Sequence, residues 1–234
     1  MASKAHNAHP KRRTNEGAQN YAKALYELQA KGGIPVGTKA VAERLGVTPA
    51  SASGMLKRLS DEGVVEYEAY HGARLTIEGE RIALEMIRHH RLIETFLAEV
   101  LDMPWDRVHA EAEVLEHHIS EELEELIAAK LGQPVLDPHG DPIPDRDLEV
   151  KVDDSVSLSD LEPGERGVFA RVSDSDASML RYLAEREIQP GDRLQVRSRE
   201  PFGGPVMVEV AGHSHSLGPE LAECIRVRRE DGDE

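Results

Sequence analysis

The sequence predicts a mainly α chain with β structure in three parts: an N-terminal winged helix-turn-helix, a middle block of amphipathic helices, and a C-terminal SH3-like β-barrel. Three observations predict it. Residues 38–77 hold two short helical segments around a glycine turn, followed by an alternating hairpin. Residues 78–131 carry apolar side chains at helical spacing, interleaved with histidine and glutamate. From Leu158 the period falls to two, in short runs broken by Pro190-Gly191 and Gly203-Gly204. The predicted division is a basic arm and winged helix over 1–76, a helical domain over 77–145, a linker over 146–157, and a barrel with a charged tail over 158–234.

Bulk properties narrow the functional classes. Of 234 residues, 39% are hydrophobic, enough for several small cores. The sequence has no run of 18 apolar residues and no charged-then-apolar leader, and its single cysteine, Cys224, cannot close an internal disulfide. A cytoplasmic chain without membrane contact is expected. The net charge of −16 argues against a polyanionic partner, but its distribution does not. Residues 1–70 hold 10 Lys and Arg against 7 Asp and Glu, a net of +3, which leaves −19 on the rest. Only this first third can face nucleic acid by charge.

Residues 1–14, M-A-S-K-A-H-N-A-H-P-K-R-R-T, have no periodicity and read as a basic arm. From Gly17 to Lys31, Tyr21, Ala24, Leu25 and Leu28 share one helical face, which Gly32-Gly33 stops. A short helix over Thr38–Leu45 ends at Gly46, and Thr48 as N-cap with Pro49 at the first helical position opens the next. That second helix turns Met55, Leu56 and Leu59 inward. Its first turns present Ser51, Ser53 and Gly54, small enough to let backbone approach base edges while Lys57 and Arg58 reach phosphates. Val64–Glu68 alternates as a strand, His71-Gly72 turns, and Ala73–Ile77 returns, so Arg74 sits on a wing. The candidate DNA-facing set is Lys39, Thr48, Ala50, Ser51, Ser53, Gly54, Lys57, Arg58 and Arg74. An ordinary helical hairpin is the competing reading of the helix pair, and the wing weighs against it. The stretch G-G-I-P-V-G-T-K over 32–39 is not a phosphate loop, because its lysine follows the threonine instead of preceding it.

A long helix is predicted over Glu78–Leu101, with Ile82, Ala83, Met86, Ile93, Leu97, Val100 and Leu101 as its buried face. His90 and Glu94 fall inside that face, and His89 lies at its edge, about 100° away. A carboxylate buried there without a partner costs several kcal/mol. In H-A-E-A-E-V-L-E-H-H-I-S over 109–120, a helix sets His109, Glu113, Glu116 and His117 within an arc of roughly 100°. Val108, Ala112, Leu115 and Ile119 make the adjacent apolar stripe, and His118 points to the far side. A single inward histidine is most often a hydrogen-bonded core residue. An inward His-x-x-x-Glu pair facing a second His/Glu stripe is instead the ordinary surroundings of a divalent cation.

Ser120 caps a third helix, with Glu121 and Glu122 in its first turn, running to Leu131 and stopped by Gly132. Residues 133–157, with four prolines, read as an irregular connection. The barrel follows from G-V-F-A-R-V, R-L-Q-V-R-S and V-M-V-E-V-A, with a short helix near Ser178–Arg186 and a frayed tail from Arg228.

The blocks A-L-Y-E-L (24–28), V-A-E-R-L-G-V (41–47), E-G-V-V-E-Y (62–67), R-H-H-R-L-I-E (88–94) and V-H-A-E-A-E-V-L-E-H-H-I-S (108–120) run in this order along nearly the whole chain. In them the sequence resembles the diphtheria toxin repressor family of metal-dependent transcription regulators, and within it the manganese transport regulator branch. The resemblance implies a homodimer whose middle domain dimerises and binds a divalent metal, iron or manganese. It also implies a grip on double-stranded palindromic operator DNA that represses metal-uptake genes, with no catalysis and no small-molecule substrate. It places a primary site on Glu113, Glu116 and His117, with Asn20 from the N-terminal helix. An ancillary site falls on His90, Glu94 and His109, completed from the barrel by Asp174 or Asp176. In the manganese branch the residue matching His90 joins the carboxylates in a two-metal cluster, so two Mn²⁺ per subunit are expected, with Fe²⁺ the alternative. The position of Glu113 is a soft ligand in the iron branch and a carboxylate in the manganese branch, and hard oxygen donors suit Mn²⁺.

Three departures stand out. Asn20 replaces a methionine or aspartate, Lys23 replaces a second acidic residue, and Gly54 occupies a place where a base-reading amide can sit. A binuclear metal hydrolase would use the same ligands, but no H-E-x-x-H, G-x-S-x-G or substrate loop accompanies them. A metal-independent winged-helix regulator is the remaining alternative, and metal binding separates it from the main reading.

Overall fold

Capping chemistry opens most of the first elements. The computed structural model describes residues 15–230, so the basic arm predicted over 1–14 lies outside the described residues. Helix α1 (Glu16–Gly32) starts where the Asn15 side chain accepts from the Ala18 N–H, and it stops at Gly33, whose φ is 84°. Helix α2 (Thr38–Arg44) precedes α3 (Pro49–Asp61), which begins at Thr48 with its hydroxyl accepting from the Ser51 N–H. Strands β1 (Val65–Glu68) and β2 (Gly72–Leu75) pair antiparallel with Val65 opposite Leu75. The turn lies one residue earlier than expected, with Tyr70 at a φ of 68°, and Ile77 opens the next helix instead of closing the strand. Gly72 is required in β2, because a Cβ there would lie 2.4 Å from the Val36 carbonyl oxygen. Leu25, Val41, Ala52, Leu56, Leu59, Val65 and Ala73 share one core with Ile82 and Ala83 of α4 (Ile77–Leu101).

Two compact units divide within α4, the first ending at Met86 and the second beginning at Ile87. The second unit holds the rest of α4, then α5 (Trp105–Leu115) and α6 (Glu121–Lys130), which Ser120 caps by accepting from the Leu123 N–H. Helix α5 ends earlier than the wheel assumed: Glu116 is its cap, and His117 and His118 lie in the following turn. Two residues of α4's predicted buried face are exposed in the single chain, Val100 at 36% and Leu101 at 57%. Conversely, His89 at the edge of that face is buried.

A six-stranded antiparallel sheet completes the second unit, from β3 (Val156–Ser157), β4 (Arg166–Val172), β5 (Arg193–Arg199), β6 (Val206–Val210), β7 (His213–Leu217) and β8 (Ile225–Arg229). Its order is β3-β8-β4-β5-β6-β7. Bulges at Phe169/Arg171 and Val196/Ser198 bend it around Phe169, Val196, Val208 and Ile225, with Leu180 and Leu183 of helix α7 (Ala177–Ala184) closing the core. Helix α8 (Pro219–Cys224) leads into β8. Arg228 and Arg229, expected to fray, belong to β8 and pair with Val168 and Gly167 of β4, while β3 pairs with Arg226 and Val227 of the same strand. Strand β7, H-S-H-S-L, escaped notice because it has no apolar alternation. The predicted fold class stands: mainly α with β, as winged helix, helices and SH3-like sheet in that order. Among the described residues no helix is long and apolar enough to cross a membrane.

Candidate metal centre

One turn separates His90 from Glu94 on α4, so both project from the same face of the helix. Helix α5 turns His109 toward them, and Asp174, just after β4, arrives from the sheet. His90 Nε2 is 3.0 Å from Glu94 Oε1 and 3.0 Å from His109 Nδ1. His109 Nδ1 lies in turn 3.3 Å from Glu94 Oε1 and 2.9 Å from Asp174 Oδ2. A ring nitrogen carries at most one hydrogen, which cannot serve three neighbours at once. A cation at their common point can.

The other face of His90 meets the end of α5. Its Nδ1 is 2.5 Å from Glu116 Oε2 and 3.9 Å from Glu113 Oε1, making a second group of His90, Glu113 and Glu116. His117 Nε2 lies 3.7 Å from Glu116 Oε1. A third group, absent from the sequence reading, joins Glu94 to Asp137 and His139. Both newcomers sit in the 133–157 stretch, which has no helical or strand periodicity. The available signal was a histidine and two aspartates packed into D-P-H-G-D, in a segment whose glycine has a structural task. Gly140 has a φ of 89°, and a Cβ there would lie 2.0 Å from the Ala170 carbonyl oxygen.

Burial makes the grouping chemically demanding. Glu94 and His139 are fully buried, and Glu116 and His90 nearly so. Glu94 Oε2 and His139 Nδ1 face each other at 3.8 Å, and neither has a hydrogen-bond partner among the described residues. Burial drives the Glu94 carboxyl up, but the charge on His90 and hydrogen bonds from His109 and His90 bring it down to about 2. Hydrogen bonds to Asp174 and Glu94 push His109 up to about 10. Asp174, although burial opposes it, is held well below the usual carboxylate range by His109. Burial and the neighbouring Asp141 and Glu94 raise Asp137. Carboxylates and imidazoles held this closely, with a buried oxygen and a buried nitrogen 3.8 Å apart and without hydrogen-bond partners among the described residues, fit a divalent cation bound through oxygen and nitrogen. Cysteine sulfur has no part in the set.

The remaining predicted residues separate clearly. Asp176 caps α7, its carboxylate accepting from the Ser178 N–H, while Asp174, in the turn after β4, reaches the cluster. His89 turns both ring nitrogens to oxygen acceptors, 3.1 Å from the Glu116 carbonyl and 2.9 Å from Glu124, so it clamps α4 to α6. His118 is exposed. In the first unit, Asn20 lies half-buried on α1 and Lys23 is buried there. Ala50, Ser51, Gly54, Lys57 and Arg58 are exposed along α3, with Ser53 half-buried and Thr48 exposed at the cap. Arg58 bonds Glu62, Arg74 on the wing bonds Glu66, and Lys39 lies 3.6 Å from Glu43.

Comparison with known proteins covers the same three parts. Residues 13–73 match the family described as iron dependent repressor, N-terminal DNA binding domain, and residues 76–145 match its metal binding and dimerisation domain. Residues 156–229 match the FeoA domain. The iron-dependent repressor IdeR of Mycobacterium leprae is 30% identical over 223 residues, covering 89% of this chain and 95% of that protein. The diphtheria toxin repressor of Corynebacterium efficiens is 28% identical, covering 91% and 95%. Among solved structures, a manganese-dependent transcriptional repressor in complex with manganese is 42% identical, with a TM-score of 0.85 over 91% of this chain and 100% of that one. The manganese regulator SloR is 29% identical, with a TM-score of 0.73 over 91% and 98%. With a winged helix, a buried imidazole–carboxylate cluster and a relative of this identity along most of its length, the chain belongs to the diphtheria toxin repressor family of metal-dependent transcriptional repressors.

Proposed function

We propose that the protein is a cytoplasmic manganese-responsive repressor that binds two Mn²⁺ per subunit and, as a homodimer, grips a palindromic operator controlling metal uptake. The observation that carries the metal reading is the convergence of His90, Glu94, His109 and Asp174 on one point, with Glu94 Oε2 and His139 Nδ1 buried and facing each other. Manganese is favoured over iron by a donor set of carboxylates and imidazoles without sulfur, and by the manganese-dependent repressor and the manganese regulator among the similar structures.

One ion is assigned to His90, Glu113 and Glu116, with His117 beside them, and the other to Glu94, His109 and Asp174, with Asp137 and His139. A bound dication supplies the positive charge that offsets these clustered carboxylates. Glu94 and His90 hold their positions from α4, whose earlier residues Ile82 and Ala83 belong to the winged-helix core. Ser51, Gly54, Lys57 and Arg58 of α3 read and grip the duplex, with Arg74 on the wing and two half-sites about 34 Å apart or a multiple of it. We assign these tasks to the predicted divisions 1–76 for DNA and 77–145 for metal and dimer. Exposed Val100, Leu101, Val114 and Leu126 are the apolar surface a second subunit would cover.

A hundredfold rise in operator affinity requires the metal to favour the competent state by only about 2.7 kcal/mol. Fluorescence anisotropy with operator DNA, with and without Mn²⁺, tests this for the wild type and Glu116→Ala. Tight binding is expected only for metal-loaded wild type, and equal affinity in all four conditions would refute the reading.

A further inference from the structure

His139 is held on every side but one. Its backbone N–H donates to Asp137 Oδ1 at 2.8 Å, and its carbonyl accepts from the Val172 N–H of β4 at 3.0 Å. Its Nε2 lies 2.9 Å from the Trp105 carbonyl oxygen at the start of α5. A carbonyl can only accept, so Nε2 carries the hydrogen, and in a neutral ring the lone pair falls to Nδ1. The Trp105 indole stacks on the same imidazole, with ring centres 5.7 Å apart and planes 21° from parallel. Trp105 also packs against the core of the sheet.

We infer that Trp105 is a positioning residue of the metal centre: its carbonyl selects the His139 tautomer and its indole fixes the ring, so that Nδ1 faces Glu94 Oε2. The inference rests on the metal reading above and adds a residue that touches no metal. A carbonyl that orients an imidazole through its far nitrogen is a common support for metal ligands, and loss of such support typically costs ten- to a hundredfold in metal affinity. The α5 start thereby joins sheet core to ligand cluster, since one side chain packs on both.

The test uses the full chain and Mn²⁺ alone, by calorimetry, with Trp105→Ala and Trp105→Phe. Trp105→Ala is expected to weaken one of the two bound ions by about tenfold or more and leave the other in place, while Trp105→Phe, which keeps a stacking face, restores it. Nitrogen chemical shifts of His139 in metal-free wild type are expected to place the hydrogen on Nε2, a readout that holds even if the alanine variant fails to fold. Mn²⁺ uptake indifferent to both substitutions, or a hydrogen found on Nδ1, overturns the inference and leaves the metal reading standing. Absence of any Mn²⁺ uptake by wild type overturns both.

Discussion

The winged helix and the metal-bearing unit are built by opposite means. In the first, most boundaries are written by adjacent residues: Asn15 and Thr48 cap their helices, Gly33 stops α1, and Pro49 sits where a missing N–H costs nothing. In the second, the imidazole–carboxylate cluster draws on α4, α5, the 137–141 loop and the turn after β4, each held by contacts distant in sequence. Local devices are individually weak and separable, each contributing about 1 kcal/mol. The cluster is coupled, because Glu94 belongs to two of its groups and His90 to two.

That contrast can be broken by substitution. The largest effect is expected from Glu94→Gln, which removes the shared carboxylate. Calorimetry should show Mn²⁺ affinity falling by about a hundredfold or more, with the metal-induced gain in operator binding lost. A variant that still responds to Mn²⁺ like wild type would show the groups to be independent. His139→Ala should be narrower, costing one ion about ten- to a hundredfold in affinity while the ion assigned to His90, Glu113 and Glu116 persists.

Proton release sharpens the same point. With His109 raised from 6.5 to about 10, the metal-free protein holds this ring charged at neutral pH, and a cation must displace its proton. Mn²⁺ affinity should therefore rise with pH by up to about tenfold per unit below that value, and calorimetry in buffers of different ionisation enthalpy should detect the released proton. In the metal-free protein the sign reverses. The ion pairs of His109 add stability that is fully present below 6.5 and is lost as pH climbs through about 10. Glu94, lowered from 4.5 to about 2, adds stability present above 4.5 and lost as pH falls through about 2.

The smallest effect belongs to the winged helix. Thr48→Ala removes the cap on α3 and should cost about 1 kcal/mol in thermal or denaturant unfolding, by the same amount with and without Mn²⁺. A loss that depended on metal would mean that this cap is coupled to the cluster after all. Lys57→Ala should lower the salt dependence of operator binding by about one unit of slope, without altering Mn²⁺ affinity.

Legibility followed the same division. The starts of α3 and α6, and the wing, could be read in advance because caps, prolines and alternation act within a few residues. The spacing of His90, Glu94, His109, Glu113 and Glu116 could be read because helical periodicity converts sequence distance into direction. His117 lies in the turn after α5, so that turn and not helical periodicity sets its direction, 3.7 Å from Glu116 Oε1. Asp137 and His139 were missed because no periodicity marks a loop, and what orients them is the Ala170–Val172 backbone of a strand far along the chain. The charged end of β8 is illegible for a related reason: Arg228 and Arg229 are ordered by pairing with Val168 and Gly167 of β4, not by their own composition.

The helices, the wing, the periodic His/Glu stripe and the sparing use of sulfur follow from residue order alone, because these depend on side-chain type and on the fixed geometry of one element. Which oxygens and nitrogens converge is set by how the segments pack together. The choice of Asp174 over Asp176, the burial of Glu94 against His139, and the turning of His89 away from the cluster all depend on packing between segments. Spacing within one segment carries no information about that packing.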